Sequence, residues 1–64
     1  MILNKLYKRY NFYDNKVIEI EKDFKEREVE RQEKELIICE LEHLKHCREA
    51  VNKQINYYKK KLNL

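Results

Sequence analysis

The chain has 64 residues, 42% of them charged and 42% hydrophobic, with a formal net charge of +3. That length excludes more than one domain or a large core, and that apolar content excludes a typical charged disordered tail. Gly and Pro are both absent, which argues against strand-rich folds that need αL turns, while the abundant Glu, Lys, Leu, Arg and Gln favour helix.

In chain order, Met1-Ile2-Leu3-Asn4-Lys5 offers no apolar signal segment, and nowhere do about 18 apolar residues follow one another. A cytoplasmic protein that does not enter the membrane is expected. Lys, Asn, Ile, Tyr, Phe and Met dominate over Gly, Ala and Pro. That coding bias points to an AT-rich source, such as a low-GC bacterium or the phages and mobile elements it carries.

The first arm, residues 2–30, carries Leu3, Leu6, Tyr10, Tyr13, Val17, Ile20 and Phe24. These spacings alternate three and four, the heptad pattern of one helix packing on another. Within the arm, Tyr13-Asp14-Asn15 is a candidate break, because Asp14 or Asn15 could cap a long second helix. A charged interval at 25–36 follows, where the first register meets Arg27, Arg31 and Lys34 and the seam is lost. The second arm, 36–62, restores it with Ile37, Leu41, Leu44, Val51, Ile55, Tyr58 and Leu62, interrupted once by Arg48.

The two half-seams mirror each other. Leu3 with Leu62, Tyr10 with Ile55, Val17 with Arg48 and Phe24 with Leu41 each add to 65, while the layers between them add to 64. Two arrangements satisfy this antiparallel pairing: an αα-hairpin turning near Val29–Glu35, or an antiparallel coiled-coil dimer of straight helices. The uninterrupted helix formers of the charged interval favour the straight rod. Against it, a rod would set Arg31 opposite Lys34. The expected fold class is therefore all-α, an antiparallel helical pair that self-associates into a small helical bundle, since a lone pair of helices has little core.

Charge divides into three blocks. Residues 1–16 carry +3, residues 17–42 carry −5 and residues 43–64 carry +5. Antiparallel pairing unites Lys5, Tyr7, Lys8 and Arg9 with Lys59, Lys60 and Lys61 in a basic tip. Basic residues with aromatics suit phosphates and stacked bases, but no nucleic-acid recognition motif accompanies them, and surface lysines also serve solubility.

Cys39, His43, His46 and Cys47 share an arc of roughly 100° on one helix face. A single helix supplies all four, so a complete zinc site would require a second chain, and no metal or other cofactor is expected. Cys39 and Cys47, roughly 12 Å apart along one helix, are too distant to bridge each other. More informative is a stripe of low charge containing Gln32, Cys39, His43, His46, Ala50, Gln54 and Tyr57, turned well away from the seam. Such a second face commonly packs on another copy or a foreign protein. No catalytic constellation or concave pocket can be assembled. The expected role is a non-enzymatic protein–protein interaction module, a regulator or inhibitor acting on a host or element-encoded protein. Nucleic-acid accessory and structural oligomerisation roles stand as the alternatives.

Overall fold

The half-seams close on each other within one chain. The computed structural model describes residues 2–63, in which α1 (Ile2–Glu26) and α2 (Arg31–Lys61) form an antiparallel helical hairpin. Among the described residues there is no strand. The rod measures 48 × 16 × 12 Å and has a radius of gyration of 14.9 Å, against about 11 Å for a globule of this length.

Five side chains are fully buried among the described residues: Leu3, Leu6, Val17, Val51 and Ile55. Four of them, Leu3, Leu6, Val51 and Ile55, make one cluster with Tyr10, Tyr13 and Tyr58 packed against it. This cluster lies at the open end of the hairpin. Towards the turn, Ile20, Phe24, Ile37, Leu41 and Leu44 remain half-buried, because two helices cover a seam from one side only.

Neither the straight rod nor the early break is found. Asp14 and Asn15 lie inside α1, and the connection is Arg27–Glu30, earlier than the Val29–Glu35 turn that the mirror centre suggested. The reason is a difference in helix length. At about 1.5 Å per residue, α2 outruns α1 by roughly 9 Å. Glu30 is extended (φ −69°, ψ 156°), and a four-residue connection can span at most about 13 Å. The first turns of α2 therefore stand beside the connection and not beside α1. This explains why Arg31 and Lys34 need no apolar partner.

Arg27 ties the turn together, donating from Nη1 to Glu33 Oε1 at 2.6 Å while its Nη2 lies 3.3 Å from Asp23 Oδ2. Beyond α2, Asn63 adopts φ 58°, an αL position that Asn tolerates better than most residues. Leu62 N–H still bonds the Tyr58 carbonyl at 2.9 Å and Asn63 N–H the Lys60 carbonyl at 3.3 Å. Lys59, Lys60 and Lys61 in the last turn complement the helix dipole. The termination corrects the proposed seam at one position. Leu62 lies past the last helical residue and is 43% exposed, so it is not core.

The start of α2 is less well finished. Glu30 occupies the N-cap without a side-chain capping bond. Ser, one of the preferred capping residues, accepts from the first-turn N–H groups, so Glu30→Ser should stabilise the fold by about 1 kcal/mol. A urea melt at fixed protein concentration tests this, and an unchanged midpoint would argue against the N-cap assignment.

Candidate interaction surface

The one polar interruption of the seam is resolved across the helix pair. Arg48 Nη1 donates to Asp14 Oδ1 at 2.8 Å, with the two side chains only 29% and 35% exposed. Further pairs cross on the same side. Lys45 Nζ is 3.6 Å from Glu21 Oε2, and Lys59 Nζ lies 5.7 Å from the Tyr7 ring centroid. One broad face of the hairpin is thus laced by charge along most of its length. One shallow depression, lined by Glu42, Lys45, His46, Arg48 and Glu49, runs from this face round the outer side of α2, and another on it is lined by Ile18, Glu21, Lys22 and Lys25. The charged linings provide no apolar binding cavity.

Rotation of about 100° per residue places the low-charge stripe towards the opposite broad face. Gln32, Cys39, His43, His46, Ala50, Gln54 and Tyr57 are all exposed, Tyr57 at 58%. Sequence reasoning missed the largest member. Leu36 is 67% exposed and begins the series Leu36, His43, Ala50, Tyr57, each seven residues from the last. That spacing was legible, but a residue adjacent to Ile37 and Ile38 is easily absorbed into the seam. From α1, Phe12 contributes to the same broad face. It lies 200° of helix rotation from Asp14, is 56% exposed and edge-on to Tyr13 at 5.5 Å, with Lys16 Nζ 5.9 Å from its centroid.

Between the stripe and the seam, Cys47 Sγ and the stripe's His43 Nε2 approach to 3.7 Å. Cys39 is exposed and Cys47 half-buried, both as free thiols. Among the described residues no group of three or more His, Cys, Asp or Glu gathers to hold a metal ion. No helix among them is long and apolar enough to cross a membrane.

At the open end Lys5, Tyr7, Lys8, Arg9, Lys59, Lys60 and Lys61 are all exposed. Lys59 already covers the Tyr7 ring, and Lys61 Nζ sits 5.8 Å from that of Tyr57. Tyr57 also packs edge-on against Tyr58 at 5.1 Å. Each cation–π contact covers one face of its ring. At the other end, Arg27 is held more firmly protonated than usual, chiefly by its hydrogen bond and charge interaction with Glu33 and then by Asp23. Arg27 is charged in any case at neutral pH, so this pairing adds no titration there.

No protein-family model, curated protein or solved structure matches this chain.

Proposed function

We propose that this chain is a non-enzymatic interaction module that binds another protein through the Leu36–Tyr57 face of α2. The asymmetry between the two broad faces carries the reading. One side spends its charged groups on bonds between its own helices, whereas the other exposes Leu36, Phe12 and Tyr57 around a stretch of α2 with few charges. Exposed aromatic side chains such as Phe12 and Tyr57 are frequent anchors of protein contact. A regulatory or inhibitory adaptor needs no more than such a face, and the AT-rich coding bias fits a phage or mobile-element origin.

A photo-cross-linking amino acid at Gln54, compared with the same probe at Ile18, tests the assignment in the living cell. Both positions are exposed on opposite faces. Discrete protein adducts from Gln54, with none from Ile18, are expected; equal labelling from both would sink the reading.

A second reading draws on the basic tip, where the two segments forming the open half carry +3 and +5. Nucleic-acid binding there would weaken steeply with salt through counterion release. A titration of labelled single-stranded DNA at low and moderate salt decides it. Absence of a steep salt slope would remove this alternative.

A further inference from the structure

We infer that the occupant of the Leu36–Tyr57 face is a second copy of this chain, docked antiparallel across a twofold axis at the middle of α2. This rests on reading that face as protein-binding and names the partner.

Charge fixes the direction. The open half of the rod carries +3 and +5 from its two strands of chain, while the turn half, residues 17–42, carries −5. A parallel pair would set like ends together. An antiparallel pair sets each basic end on the partner's acidic turn, which lowers the energy and selects one orientation.

Geometry fixes the axis. For two hairpins joined face to face and antiparallel, the twofold must lie in the interface across the rod. It then stacks α2 on α2 of the second copy and α1 on α1. Full overlap of two α2 helices requires the axis near His46, the midpoint of Arg31–Lys61. The close pair His43 and Cys47 brackets residue 45, within one residue of that midpoint. With the axis at residue 45, Leu36 of each copy falls level with Gln54 of the other, and Lys60 with Glu30 in the acidic turn. The opposite charges at the two ends of α2 agree with this axis.

Area agrees as well. A face of 48 × 16 Å offers about 770 Å² to each partner, close to the roughly 800 Å² per side of a stable, specific interface. The need is also present. The chain exposes 5481 Å², against about 4,500 Å² for a compact monomer of 8.1 kDa. Five buried residues alone make a thin core.

Spin labels on α2, measured as inter-label distances in a protein with Cys39 and Cys47 replaced by Ser, test the arrangement directly. A label at His46 should give a short distance between copies, and one at Lys60 should give roughly 45 Å, twice its distance from the axis at 1.5 Å per residue. A parallel dimer would give short distances at both sites and overturn the proposal. Light scattering should find a dimer of the unlabelled chain that loosens as salt rises. Ala50→Arg, on the exposed stripe, should raise its dissociation constant by about tenfold or more, whereas Ile18→Arg on the laced face should leave it within about threefold. Far-UV circular dichroism confirms that both variants remain helical.

A monomer at every accessible concentration would overturn the inference. If Gln54 cross-links then show only foreign masses, the protein-binding reading survives without it. If Gln54 gives no adduct at all, both fall.

Discussion

Replacing Leu6 by Ala should remove most of the fold's stability. Leu6 is 1% exposed and sits in the cluster with Leu3, Val51 and Ile55. Truncating a fully buried Leu costs about 2–4 kcal/mol through lost transfer energy and the cavity left behind. At about 0.05–0.15 kcal/mol per residue, a 64-residue domain holds only about 3–10 kcal/mol in total. A thermal melt at fixed protein concentration should therefore show the midpoint falling by about 10–25 °C, or no cooperative transition. Fixed concentration matters because self-association would shift the midpoint by mass action. Ile18→Ala, at an exposed site on the laced face, should change stability by less than about 0.5 kcal/mol. Equal responses from Leu6 and Ile18 would mean that the open-end cluster is not the core.

The seam's basic interruption gives a second expectation, in which losing one partner costs more than losing both. Asp14→Ala leaves the Arg48 guanidinium half-buried beside an apolar seam without its carboxylate, and should cost about 1–2 kcal/mol. This allows for the solvent that still reaches a pair about one-third exposed. Replacing both partners, Asp14→Ala with Arg48→Leu, removes the charges together and should recover most of that loss, since apolar replacement of a whole part-buried ion pair is commonly neutral or stabilising. Urea melts of the two single variants and the double variant measure the coupling. A neutral Asp14→Ala would show that water, not Asp14, solvates Arg48.

These two sites also show what the sequence could reveal. Alternating three- and four-residue steps traced the seam, and the mirror pairing implied the antiparallel hairpin. Asp14, however, was readable only as a potential helix cap, because local chemistry favours Asp at helix starts. Its partner lies 34 positions away and becomes visible only when the helices dock. The turn was displaced for a related reason. Periodicity reports which residues face each other, but says nothing of an extended connection that replaces helix over the first turns of α2. Leu36 was hidden beside Ile37 and Ile38, where a run of apolar residues obscures which of them turns outward. The basic tip and the low-charge stripe were legible because both follow from helical spacing and antiparallel direction alone. The faces themselves were not, since only the side-chain pairs Asp14–Arg48 and Glu21–Lys45 distinguish the laced face from the free one.

The placement of the tight cluster at the open end reverses the usual gradient of local stability. Chain closure reaches Phe24 and Leu41 early, with few residues between them, whereas bringing Leu6 to Ile55 costs about 1 kcal/mol more in loop entropy. Yet the early contacts are half-buried and the late ones are fully buried. A partly zipped hairpin therefore has little to hold it, and folding should proceed in one cooperative step without a stable short form. In native-state hydrogen exchange, where chain ends ordinarily fray first, the amides beside Leu6 and Ile55 should be the slowest, and those flanking Arg27–Glu30 the fastest. This hairpin opens from its bend.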